Sequence, residues 1–234
     1  MQWALFNSDG LLFLLRWGHF IFGIAWIGML WYFNFVQGPF FAKADAAVKT
    51  AATQSLVPKA LFYFRWGAMG TLITGLAIIL IKFGQAGAAG GALFNTSWSA
   101  TILTGTLMGL VMWFNVWFVI WPRQKKIIAS ANGAKVENLP GIARRAFLAS
   151  RTNTLLSIPL LWFMGSASHL TLAVEPGKVG MWLGIVTVIL LLLEANALLA
   201  DKGVTTKPIE KVSGVIHWGL LLTVVFYVLS EVVL

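Results

Sequence analysis

The sequence predicts an all-α integral membrane protein, a single domain over 1–234 built as a bundle of about six transmembrane helices, and three observations carry that prediction. Mean hydropathy is +0.82, with 59% hydrophobic and only 11% charged residues, against about 25% charged in soluble domains. Six apolar runs lie at about 11–35, 60–82, 98–121, 152–173, 179–200 and 212–233; each reaches the roughly 20 residues a spanning helix needs. Basic residues collect in alternate connections between those runs, as cytoplasmic loops do.

The first run is preceded by MQWALFNSDG, without Lys or Arg, and is too long for a signal-peptide core, so helix one is expected to be retained. The connection 37–59 carries Lys43, Lys49 and Lys59 and is rich in Ala, which suggests a short surface helix stopped at Pro58. Helix two is lined by Gly67, Gly70 and Gly75, and helix three holds Gly105 and Gly109 in a GxxxG spacing; both read as close helix packing. Between them, the glycines of 84–91 read as a flexible outer loop without charge. The third connection gathers Arg123, Lys125, Lys126, Lys135, Arg144, Arg145 and Arg151 against Glu137 alone, with NGAKVENLPG as a turn between two basic amphipathic pieces. Such pieces suit anionic lipid headgroups. TLAVEPGKVG before helix five has one charge of each sign, and Lys202, Lys207 and Lys211 precede helix six.

The positive-inside rule therefore places connections one, three and five in the cytoplasm and both termini on the outer, periplasmic side of a bacterial inner membrane. It also accounts for the net charge of +9 without nucleic acid as a partner. Trp3, Trp98, Trp121 and Trp182 lie near helix ends, where interfacial anchoring is expected. RWG occurs at 16–18 and 65–67, with HWG at 217–219, but the likeness stops soon after each tripeptide.

The absence of Cys excludes disulfides, thiolate metal sites, iron–sulfur clusters and the C-x-x-C-H attachment of c-type haem. All three His lie within apolar runs. An ionisable residue inside a bilayer is a functional hypothesis by default, set against a neutral His hydrogen-bonded across helices. At 1.5 Å of rise per residue, His19 lies roughly 6 Å and His169 roughly 10 Å to the outer side of the midplane, while His217 falls roughly 9 Å to the inner side. Two imidazoles at one depth, without nearby carboxylates, suit a b-type haem iron better than zinc or non-haem iron. His19 and His169 are the expected axial pair, with His217 as a ligand only if a second haem is present. Gly18 and Gly23 flank His19, GSAS at 165–168 leaves space before His169, and Phe22 and Trp26 would wall an apolar slot. Arg16, one turn outward of His19, would pair with propionates or an anionic substrate, or extend to headgroups. Arg65 and Arg151 are expected to extend to headgroups too. Glu194 is expected either beside His217 or solvated at the interface, and Asn34, Asn115 and Asn153 in packing hydrogen bonds.

Four stretches resemble the N-terminal membrane domain of the membrane-bound urate oxidase (urate hydroxylase) family. They are RWGHFIFGIAWIGMLWYFNFVQGPF at 16–40, RWGAMGTLITGLAII at 65–79, WFNVWFVIWPRQKKIIA at 113–129 and ASRTNTLLSIPLLWFMGSASHL at 149–170. The resemblance implies oxidation of urate to 5-hydroxyisourate with electrons passed to the respiratory chain through cytochrome c. Family members continue into a cytochrome c domain that this sequence lacks, so a free cytochrome c or a separate cytochrome-bearing subunit is the expected partner. Two readings stand: a urate-oxidase-type redox enzyme with haem b as its relay, and a non-catalytic cytochrome b-like subunit among other respiratory subunits. A transporter lacks the matched pair of broken helices that such folds use.

Overall fold

The computed structural model describes residue 3 and residues 5–234. These form helices joined by turns and irregular segments, and no strand occurs among them. Among the described residues eight helices follow in order: α1 Ser8–Lys43, α2 Ala46–Ser55, α3 Val57–Ala88, α4 Ser97–Ala131, α5 Leu139–His169, α6 Lys178–Leu199, α7 Lys207–Glu210 and α8 Val212–Val233. Five of them (α1, α3, α4, α6 and α8) are long and apolar enough to cross a membrane. Their outward faces carry the side chains that such a solvent would cover, among them Ile24, Leu80, Leu192 and Val232, each more than two-thirds exposed.

Helix α5 is as long but less apolar, because it is the axis of the bundle. From Arg151 to Ser157 every residue is buried, including Thr152, Asn153 and Thr154. Polar side chains there meet neighbouring helices instead of lipid, which lets a spanning-length helix carry them. Pro159 takes the amide donor from the carbonyl of Leu155. Gly219 of α8 packs on that carbonyl, where an added Cβ would lie 3.1 Å from its oxygen.

Short connections give an up-and-down bundle with two distinct ends. At one end Gln54 donates to Ala131 O, and Arg144 donates to Asp201 O and to Glu210 Oε1, tying the first, third and fifth connections. The Arg144 guanidinium holds the Glu210 carboxyl below its ordinary range. Arg145 caps the last carbonyls of α6 through Ala197 O and Ala200 O, where a cation meets the negative pole of the helix. This is the basic end. At the opposite, terminal end, Leu172 N donates to Ser97 Oγ and Glu175 N to Leu234 O.

Several expectations are corrected. Pro58 starts α3 instead of stopping the surface helix, since a first-turn proline lacks only an amide that would be unpaired anyway. The glycines of 84–88 remain in α3, so the turn begins at Ala89. The basic pieces around NGAKVENLPG are continuations of α4 and α5, joined where Asn138 adopts φ 50° and its side chain accepts from Gly141 N. Trp182 is fully buried and donates to Thr104 Oγ1 at 2.8 Å, a core residue and not an interfacial anchor.

Candidate functional site

Helices α1 and α3 touch through the glycines that the sequence singled out. A Cβ at Gly67 would meet Trp26 N at 2.9 Å, one at Gly70 would strike the Phe22 ring, and one at Gly75 would lie 3.0 Å from His19 Cε1. His19 is thereby held close against α3. Its Nδ1 lies 3.0 Å from Thr74 Oγ1, and that hydroxyl donates to Gly70 O at 2.6 Å. The threonine oxygen is left as acceptor, so Nδ1 carries the imidazole proton and Nε2 keeps its lone pair. An oriented imidazole with a free Nε2 is the arrangement of a metal-ligating histidine.

His19 lines a cavity of about 400 Å³ between α1, α3, α4 and α5, of a size common for small-molecule and cofactor sites. Its walls are almost wholly apolar. Gly23 and Gly28 open one side, Gly109 another, and Met164 comes from α5. Trp26 also lines the cavity, and its buried Nε1 has no hydrogen-bond partner. The contact of Met164 with α4 depends on the GxxxG spacing: a Cβ at Gly105 would lie 2.9 Å from Met164 Cε.

The other expected site residues lie elsewhere. His169 ends α5, is exposed and does not line this cavity. Arg16 is exposed and outside the lining. His217 is exposed on α8, while Glu194 is buried and accepts from Asn115 Nδ2 at 2.8 Å. Glu194 is therefore neither solvated at an interface nor hydrogen-bonded to His217. No group of three or more His, Cys, Asp or Glu that could hold a metal ion occurs among the described residues. A haem iron, whose macrocycle supplies four ligands, needs only one or two from the chain. The imidazole with free Nε2, the thioether and the apolar lining suit such a group.

A second cavity, of about 430 Å³, opens toward the basic end between α1, α2, α3, α4 and α5. Two single π-helical turns, Tyr32–Gln37 in α1 and Asn115–Ile120 in α4, lie beside it. Such turns re-aim side chains and recur at functional sites. The first carries Asn34 and Gln37, both lining the cavity. Arg151, expected to extend to headgroups, is instead 6% exposed and lines the same space. Its depth was readable in the sequence, but the side of the helix it faces was not.

Residues 90–230, well over half of the chain, match the family model described as urate oxidase N-terminal. The chain belongs to the urate oxidase N-terminal family. The match contains the two later stretches of resemblance and leaves the two earlier ones, with His19, before its start. No curated protein and no solved structure matches the chain. In this urate oxidase N-terminal chain, stretches 16–40, 113–129 and 149–170 all contribute side chains to the second cavity: Asn34 and Gln37, Gln124, and Arg151.

Proposed function

We propose that this urate oxidase N-terminal chain is a membrane redox protein that binds b-type haem in the His19 cavity and passes electrons from a substrate, urate, to cytochrome c or the respiratory chain. The observation that carries this reading is the His19–Thr74–Gly70 chain, which fixes one imidazole against an apolar cavity with Nε2 free. When bound, the haem supplies one-electron relay chemistry. The chain's own residues orient the ligand through Thr74, make room for it at Gly75 and exclude water with an apolar lining. Met164 is the potential second ligand that lines the cavity, and His169 is the one that depth alone suggests. The overall reaction balances as urate and water giving 5-hydroxyisourate, two protons and two electrons, with the electrons taken by two ferricytochrome c.

The reading places all five apolar helices and α5 across a bacterial inner membrane, six spans in all, with the basic end cytoplasmic and both termini outside. The pyridine haemochrome spectrum of the purified chain tests it. About one b haem per polypeptide is expected, lost in His19→Ala and retained in His217→Ala. Met164→Leu and His169→Ala separate the two candidates for the second position by which of them changes the visible spectrum of the native protein, recorded before pyridine displaces its ligands. A folded, cofactor-supplied chain without haem would overturn the relay and leave His19 as a packing residue.

A further inference from the structure

The second cavity has the makings of an anion site. Arg151 is buried, its Nε has no hydrogen-bond partner, and its Nη1 makes only a long hydrogen bond, to Asn34 O at 3.4 Å. The guanidinium lies 5.0 Å from the centre of the Phe147 ring, which holds it in place without neutralising it. Among the lining residues there is no Asp or Glu, and Lys49 stands exposed at the rim. A buried cation so weakly paired is costly, and an anionic ligand would offset that cost.

The remaining lining narrows the class of anion. Gln37 Oε1 is buried without a partner and needs a donor. Phe33, Phe64 and Phe147 present aromatic rings, with Phe33 and Phe64 edge-to-face at 5.5 Å. A carboxylate or a fully ionised phosphate would satisfy Arg151 but offers Gln37 no donor, and neither gives the rings a flat partner. A planar heterocycle with an anionic C=O edge and an adjacent ring N–H satisfies all three. The two cavities are also stacked along α1: Trp31 lines the first and Phe33 the second. Trp31 Nε1 donates to Ser157 Oγ at 2.9 Å, tying α1 to α5 at that level.

We infer that the cavity around Arg151 and Gln37 is a binding site for a planar, singly anionic, imide-edged heterocycle of oxopurine size, with Arg151 on its anionic edge and Gln37 on a ring N–H. The inference rests on the proposed function only for the choice of urate as probe. The haem cavity is not required for it.

Equilibrium dialysis of labelled urate against the purified full chain in phosphatidylcholine nanodiscs tests the site. Saturable binding is expected, weakened at least tenfold in Arg151→Gln and in Gln37→Leu, each variant being checked for an unchanged unfolding midpoint. Because Arg151 is buried and its variant could misfold, Ala143→Trp provides a second route: Ala143 lines the cavity and is exposed, so the fold tolerates a bulky ring there, which blocks the space and leaves both polar groups intact. Binding that survives all three variants overturns the site while leaving the redox reading untouched. Binding that depends on these residues in a haem-free chain supports the site and counts against the relay alone. No saturable urate binding, or Arg151-dependent retention of phosphatidylglycerol in its place, overturns the inference and assigns the cavity to a lipid headgroup.

Discussion

Both amide hydrogens of Asn115 are donated inside the bundle, to Asn153 Oδ1 at 2.9 Å and to Glu194 Oε2 at 2.8 Å, and Asn153 in turn donates to Met112 O. One side chain thus joins α4, α5 and α6. Hydrogen bonds between spanning helices average only about 0.6 kcal/mol, because the chain unfolded in a membrane finds other partners. Removing Asn115 is different, since it strands two buried acceptors, and each such group costs about 1–3 kcal/mol. Asn115→Ala is therefore expected to destabilise the protein by about 2–4 kcal/mol, and Thr187→Ala, which removes only a bond to its own helix at Leu183 O, by well under 1 kcal/mol. Unfolding in graded denaturing detergent compares the two, and equal losses would remove the network as a structural element. The sequence announced these asparagines as packing hydrogen bonds, since an amide within an apolar run has few other uses. It could not announce that Glu194 joins them, because depth along a helix is fixed by counting residues while the facing direction is fixed by neighbouring helices.

At the scale of the helix, the same tripeptide recurs with the same outcome. Trp17, Trp66 and Trp218 are each about half exposed, while the glycines that follow turn inward: Gly67 onto Trp26 N and Gly219 onto Leu155 O, with Gly18 against Thr74. RWG and HWG are a local device, a bulky outer residue beside a point of close approach. Because the obstacle at Gly67 is backbone at 2.9 Å, it cannot move aside as a side chain would. Gly67→Ala is expected to cost about 1–3 kcal/mol through separation of α1 and α3, and, if the proposed haem site holds, to lower haem retention with it. Gly84→Ala, in the same helix with nothing within 4 Å of the added carbon, should be neutral or stabilising by up to about 1 kcal/mol. Thermal unfolding of the two variants provides the comparison, and a neutral Gly67→Ala would mean that the interface is looser than its geometry. The apolar runs made most helices legible, to within a few residues. The ends that ran past them, to Ala131 and back to Leu139, did so because basic amphipathic sequence continues a helix once lipid is left behind. The central place of α5 went unread, although RTNT, a polar run too dense for a lipid-facing helix, was its signal.

For the molecule as a whole, the two cavities divide the bundle lengthwise. The His19 cavity occupies the half nearer the termini, and the Arg151 cavity opens at the end where Gln54, Arg144 and Arg145 tie the odd-numbered connections together. On the proposed reading, which end faces the cytoplasm decides from which compartment an anion would reach Arg151 and toward which side electrons would leave. The exposed basic residues at one end argue for a cytoplasmic mouth, so substrate would enter from within and electrons would leave toward the termini. The absence of native Cys makes the orientation directly measurable, because any introduced thiol is a unique reporter. Ala92 and Lys135 are exposed in connections at opposite ends. In intact cells, Ala92→Cys should react with a membrane-impermeant maleimide, and Lys135→Cys should react only after permeabilisation. The reverse pattern would place the Arg151 mouth on the outer side, so that an anion could bind without crossing the membrane and the electrons would have to leave toward the cytoplasm. Labelling of both positions in intact cells would break the single-orientation bundle itself.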